Sequence, residues 1–316
     1  MHPKILSAGL SDVGQKRENN QDHFLIADLH RSLLLLSSNL SLQCPMRVHG
    51  DGEARLMLVA DGMGGHQAGG RASVRALELC IDQFLGSMPP SDLADNHQRK
   101  KLEQFLHELF HRSHRSLESD ARSDIRLQGM GTTLTIALLQ WPRLLIAHAG
   151  DSRCYLLRNG LLTPQTQDHT IASELVARGE LNIDDAPRSP WGNMLWNVLG
   201  GGGSQAKPDI KFIELQADDR ILLCSDGLNK HLTDNEIAEI LLNNQLPEDA
   251  CRCLVELANR RGGTDNITVV ISQLAQEAKF TDSEITSVYE MSSESKTSTW
   301  SQTLDYLPDS TTDTPP

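Results

Sequence analysis

Five aspartates stand where short apolar runs begin or end. Asp22 precedes Phe24–Asp28, Asp61 closes Leu56–Ala60, and Asp151 follows Leu144–Ala149 through Gly150. Asp226 closes Arg220–Cys224, and Asp265 lies in Gly262-Gly263-Thr264-Asp265-Asn266 just before Ile267–Leu274. A single aspartate in such a place is ordinarily a turn residue or a helix cap. Gathered at one edge of a core and partly desolvated, five carboxylates would repel one another strongly. Bound cations resolve that repulsion. With few His or Cys nearby, the donor set favours hard, oxygen-seeking ions, so Mg²⁺ or Mn²⁺ suits it better than Zn²⁺. Glycine follows Asp61 and Asp226, as Gly62 and Gly227, and lets backbone approach a metal or its waters.

The elements that must position these residues are short apolar runs interleaved with helical patterns. Strands are expected at Ile5–Leu10, Phe24–Asp28, Leu56–Ala60, Thr132–Leu139, Leu144–Ala149, Cys154–Arg158, Lys211–Leu215, Arg220–Cys224 and Ile267–Leu274. Helices are expected at Gly69–Leu85, Arg99–Glu118, Ile171–Arg178, Asp234–Asn243 and Glu248–Arg260. Thr233 with Glu236 three residues on forms a capping box, and Asn159-Gly160 makes a hairpin turn. Many strands adjacent in sequence, with helices in two clusters and no regular βαβ alternation, point to an α+β fold of layered antiparallel sheets with helices outside. Residues 30–55 read as a loop-rich insertion, and the irregular, glycine-ended stretch 167–203 reads as a flap. Residues 278–316 are Ser/Thr/Asp-rich and hold too little apolar content to order themselves, so a disordered tail is expected.

Bulk composition narrows the function classes. Hydrophobic residues are 39% and aromatics only 4%, so the core must be built from Leu, Val, Ile and Ala. The net charge of −13 disfavours nucleic acid and anionic lipid as partners. No apolar run approaches the about 18 residues that span a bilayer, and Met1-His2-Pro3-Lys4 lacks a signal-like apolar stretch. Six cysteines without a CxxC pair read as reduced, mostly buried thiols, so a cytoplasmic location is expected.

Seven ordered motifs carry a resemblance. They are Gly14-Gln15-Lys16-Arg17-Glu18-Asn19-Asn20-Gln21-Asp22, Val59-Ala60-Asp61-Gly62-Met63-Gly64-Gly65-His66 and Gly131-Thr132-Thr133, followed by Ala149-Gly150-Asp151-Ser152-Arg153 and Gln167-Asp168-His169. Leu223-Cys224-Ser225-Asp226-Gly227-Leu228 and Gly262-Gly263-Thr264-Asp265-Asn266-Ile267-Thr268 complete the series. Over roughly residues 5 to 275 the chain resembles the bacterial form of the PPM (type 2C) family of metal-dependent serine/threonine protein phosphatases. The resemblance implies an α-β-β-α sandwich of two mostly antiparallel sheets flanked by helices, with a catalytic domain over residues 1–277. It implies that Asp61 bridges two Mn²⁺ or Mg²⁺ ions and that the Gly62 carbonyl, Asp226 and Asp265 complete a first site. Asp22 would orient waters around the metals, Asp151 with Asp226 would hold a weaker third ion, and Arg17 would bind substrate phosphate. Two metals about 3.5–4 Å apart acidify a shared water and stabilise in-line attack on phosphorus, with no covalent intermediate. The partners implied are phosphoserine and phosphothreonine proteins, with a serine/threonine kinase acting in opposition.

The sequence also departs from the family. Met63 stands where animal members carry a His proposed as general acid, which leaves a coordinated water or His66 as the proton donor. Ser189-Pro190-Trp191-Gly192-Asn193-Met194-Leu195 stands where relatives often show His-Pro-x-Arg-Asn-x-Leu, so substrate preference does not carry over. Trp191 and Trp196 suit anchoring of the flap better than a platform for substrate. A catalytically silent binding module is the rival reading, and the intact aspartates argue against it. A hydrolase of small phosphoesters or nucleic acid and a structural calcium-binding protein are further alternatives; no EF-hand loop is present.

Overall fold

Alternate residues of the central strands face two different cores, and that period of two sets the layering. The computed structural model describes residues 3–30, 32–35, 46–49, 54–65, 68–87, 93, 95–203 and 205–275. Its strands are β1 (Lys4–Asp12), β2 (Asp22–Leu29), β3 (Ser32–Leu35), β4 (Met46–His49), β5 (Ala54–Met63), β6 (Gly131–Thr132) and β7 (Leu134–Gln140). They continue with β8 (Arg143–Ala149), β9 (Arg153–Arg158), β10 (Leu161–Pro164), β11 (Leu199–Gly200), β12 (Asp209–Glu214), β13 (Arg220–Cys224) and β14 (Ile267–Ala275). The helices are α1 (Ala68–Ser87), α2 (Asn96–Ser123), α3 (Ile171–Ala177), α4 (Asp226–Asn229), α5 (Asp234–Asn243) and α6 (Pro247–Arg260).

Two antiparallel sheets carry the fold. One runs β1-β14-β13-β9-β10; the other runs β11-β6-β5-β7-β8-β12, with β2 added on β5. In β5, Leu56, Leu58 and Ala60 join the core under α1 and α2, whereas Met57 and Val59 face the opposite sheet. In β13, Leu222 and Cys224 pack under α4, α5 and α6, whereas Ile221 and Leu223 face inward to meet Met57 and Val59. Three apolar cores between four layers follow, and the sandwich is α-β-β-α. Each Leu or Ile fully buried in these layers is worth about 1.5–3 kcal/mol relative to exposure.

The helices follow from spacing and caps. Leu102, Leu106, Leu109, Phe110, Ser113 and Leu117 make the buried stripe of α2, whose first amides donate to the Asp95 carboxylate. Thr233 and Glu236 cap α5 reciprocally. Asn159 and Gly160, at φ of 52° and 82°, form the tight turn between β9 and β10.

Several boundaries differ from those read in the sequence. The run Thr132–Leu139 is divided into β6 and β7 because Thr133 turns its amide and hydroxyl onto the backbone of Asp61. Asp61 does not close its strand; β5 continues to Met63. Asp226 opens the four-residue helix α4, too short to leave a periodic signal. Within the expected insertion 30–55, β3 and β4 pair as a two-stranded sheet. His66 and the tail 278–316 lie outside the described residues. Cys80, Cys154, Cys224, Cys251 and Cys253 are free thiols. Among the described residues no helix is long and apolar enough to cross a membrane.

Candidate functional site

Pairing of β2 with β5 sets Asp22 directly opposite Asp61. The β13–β14 pairing draws in the rest, because Asp226 follows β13 and Asp265 precedes β14 on neighbouring strands. Gly62 and Gly227 allow the backbones to close in. A side chain on Gly62 would meet the Gly69 carbonyl at 2.2 Å, and one on Gly227 would meet the Asn266 carbonyl at 1.9 Å. Neither position admits a Cβ without moving backbone.

Polar neighbours fix the aspartates. The Asp61 amide donates to Thr133 Oγ1 at 2.9 Å, and Thr132 Oγ1 donates to the Asp61 carbonyl at 2.9 Å. These two threonines, read from sequence as plain strand positions, hold the central aspartate. Ser225 Oγ donates to Asp22 Oδ2 at 2.6 Å and accepts from the Thr268 amide at 3.0 Å. Asn266 accepts from the Gln21 amide at 2.8 Å and donates to the carbonyls of Val13 and Asn19 at 2.9 and 3.0 Å. It thereby ties the loop bearing Arg17 to the turn bearing Asp265. Arg17 reaches Asp265 with Nε at 2.8 Å from Oδ1 and Nη2 at 3.0 Å from Oδ2. Lys230 Nζ lies 2.5 Å from Asp226 Oδ2 and 2.7 Å from Asp265 Oδ2.

The electrostatics are strained. Burial pushes the Asp61 carboxyl well above its ordinary value, and repulsion from Asp22, Asp226, Asp151 and Asp265 adds to it. The other four aspartates therefore all act on Asp61. Asp22 is raised to about 6 and Asp151 to about 7, burial being the main cause in each. Burial also raises Asp226 against the pull of Lys230. Asp265 is the exception, since Lys230 and Arg17 together outweigh its burial and hold it low.

Two carboxylate oxygens of this cluster, Asp22 Oδ1 and Asp226 Oδ1, are buried with no hydrogen-bond partner among the described residues. An orphaned buried carboxylate oxygen costs several kcal/mol, in the range of about 1–3 or more. A hard cation satisfies both oxygens and relieves the repulsion, so the donor chemistry fits Mn²⁺ or Mg²⁺. Among the described residues no three His, Cys, Asp or Glu side chains converge as ligands of a single ion. Lys230 takes one oxygen of Asp226 and one of Asp265 instead. Lys230 was not singled out in the sequence, although its place four residues after Asp226 was there to be read.

The flap base is tied to the same edge. The His169 amide donates to the Gly150 carbonyl at 2.7 Å, and the Gly150 amide donates to His169 Nδ1 at 3.2 Å, one residue before Asp151. Trp196 packs against His169 with ring centroids 4.8 Å apart and planes tilted by 50°, which anchors that end of the flap. Trp191 and Trp196 both remain about half exposed. Met63 ends β5 half-buried.

Known proteins resemble this chain in sequence and fold. The protein phosphatase 2C family profile matches residues 37–254. The serine/threonine phosphatase stp of Listeria monocytogenes is 35% identical over 216 residues, covering 68% of this chain and 83% of that protein. The structure of the Streptococcus agalactiae serine/threonine phosphatase superposes with a TM-score of 0.70 at 28% identity, covering 86% of this chain and 100% of that one. The catalytic domain of the phosphatase PstP, solved with two manganese ions, gives a TM-score of 0.65 at 31% identity, covering 86% of this chain and 99% of that one.

Proposed function

The chain belongs to the protein phosphatase 2C family, the metal-dependent serine/threonine protein phosphatases, and on that premise we propose that its aspartate edge holds two Mn²⁺ or Mg²⁺ ions for hydrolysis of phosphoserine and phosphothreonine. Asp61 and the Gly62 carbonyl, with Asp226 and Asp265, are the ligands of this reading; Asp22 orients solvent beside them. Asp151 and Asp226 hold a third, weaker ion. The observation that carries the assignment is the pair of buried, unpartnered oxygens on Asp22 and Asp226 within a cluster of mutually repelling carboxylates.

When bound, such ions supply an acidified water at neutral pH and stabilise charge on the phosphoryl oxygens. The chain's own residues do the rest. Arg17, with more than half its side chain exposed, holds both oxygens of Asp265 in its planar fork, and the same fork fits two phosphate oxygens once a metal takes that carboxylate. Thr132, Thr133 and Ser225 hold Asp61 and Asp22 rigidly, so the donors need not reorganise during the reaction. Asn266 fixes the loop from which Arg17 projects. The substrates are phosphoproteins of a serine/threonine kinase, in the cytoplasm.

The test is hydrolysis of a phosphothreonine peptide by the full chain. Turnover should vanish in EDTA and return with excess Mn²⁺. Turnover indifferent to chelator would overturn the reading.

A further inference from the structure

Helix α4 gives the metal edge a cation of its own. Lys230 is four residues after Asp226 and its amide donates to the Asp226 carbonyl at 2.9 Å, so the helical turn carries both side chains on one face. Its ammonium contacts Asp226 Oδ2 at 2.5 Å and Asp265 Oδ2 at 2.7 Å, joining a carboxylate of α4 to one in the turn before β14. About two-thirds of the side chain is covered. Arg17 Nη2 approaches the same Asp265 oxygen at 3.0 Å, so two cationic side chains share it. The other oxygen of Asp226 is buried and has no partner among the described residues.

We propose that Lys230 competes with the divalent ion for Asp226 and Asp265 and so sets the affinity of the site for metal. The proposal rests on the metal assignment given above. A lysine ammonium is a compact point charge on a flexible stem, so it can withdraw when a doubly charged ion takes the carboxylates. Withdrawal breaks two charge-assisted hydrogen bonds and keeps a positive charge nearby, and both effects weaken metal binding. Lys230 is thus a positioning residue that holds Asp226 and Asp265 together and raises the metal concentration the enzyme requires.

The experiment titrates the chelator-stripped full chain with Mn²⁺ and reads free Mn²⁺ by electron paramagnetic resonance. Lys230→Met and Lys230→Gln should tighten Mn²⁺ binding by about tenfold or more. Lys230→Arg, which keeps the charge, should stay within about threefold of the wild type. If the Met variant fails to fold, the Gln variant gives the reading. A purely structural lysine would lower the melting temperature in chelator and leave Mn²⁺ affinity unchanged, and that result overturns the proposal. A wild-type chain with no stoichiometric Mn²⁺ site overturns the metal assignment as well.

Discussion

Two buried polar clusters lie side by side in this molecule, and they are built on opposite principles. At the flap base every ring nitrogen of two histidines is satisfied. His169 Nδ1 accepts from the Gly150 amide and from Asn197 Nδ2, and its Nε2–H donates to Asp209 at 3.0 Å. His148 accepts from Thr135 Oγ1 at 2.9 Å and donates to the Gly150 carbonyl at 3.1 Å. At the aspartate edge, one residue from Gly150, carboxylates repel one another and two oxygens find no partner among the described residues. A satisfied buried network fixes a conformation, whereas an unsatisfied one marks where stability yields to chemistry. The histidine cluster suits a scaffold, and the aspartate edge is where the proposed chemistry would sit.

The largest effect expected from that contrast follows neutralisation of the central aspartate. Asp61→Asn should lower phosphopeptide turnover by about a thousandfold or more, a loss of about 4 kcal/mol of transition-state stabilisation. In EDTA the same variant should melt at a higher temperature than the wild type, because a buried repulsion is gone. Activity and stability measured on one sample check both halves. A variant that is inactive and also less stable in EDTA would place Asp61 with the scaffold.

His169→Ala should behave in the opposite way. It leaves the Asn197 amide and the Gly150 amide without their acceptor, so unfolding in urea should show a loss of about 2–4 kcal/mol. Turnover at saturating Mn²⁺ should fall far less than for Asp61→Asn. Next in size is Arg17→Ala, which should raise KM for a phosphopeptide about tenfold with a smaller change in kcat. Equal losses in kcat and kcat/KM would assign Arg17 to the transition state alone.

The last contrast is a difference in the sign of pH dependence. His148 is held down to about 3, chiefly by burial, so the unfolded chain binds its proton more tightly than the native state does. Its contribution to stability is full above pH of about 6.5 and drains away toward pH of about 3. Asp151 is raised to about 7, again chiefly by burial, so the native state binds its proton more tightly. That group favours the fold below pH of about 4 and loses the advantage as pH rises through about 7. Each can shift stability by at most about 1.4 kcal/mol per pH unit. Denaturation of His148→Gln and Asp151→Asn in EDTA across this range should show the two slopes removed with opposite sign.

Much of this was readable in the chain, and the reason is periodicity. Strands such as Leu56–Ala60 and Arg220–Cys224 alternate between two cores, and α6 buries Ala250, Cys251, Leu254, Val255 and Ala258 at helical spacing. The five aspartates were legible because each adjoins such a run. What holds them was not. Asn266 meets Gln21 across 245 residues, and Ser225 meets Asp22 across 203, and no local pattern encodes such contacts. Thr133 reads as one more β-branched strand residue, yet it interrupts the strand to hold Asp61. Lys230 sits at the end of a helix too short to announce itself.

Diffraction from crystals grown in Mn²⁺, recorded at the manganese absorption edge, tests the account where it is most exposed. Two anomalous peaks between the carboxylates of Asp61, Asp226 and Asp265 are expected, with Lys230 Nζ moved off its present oxygens. Crystals of the same chain in saturating Mn²⁺ with no peak at that edge, or with those aspartates facing apart, would contradict it.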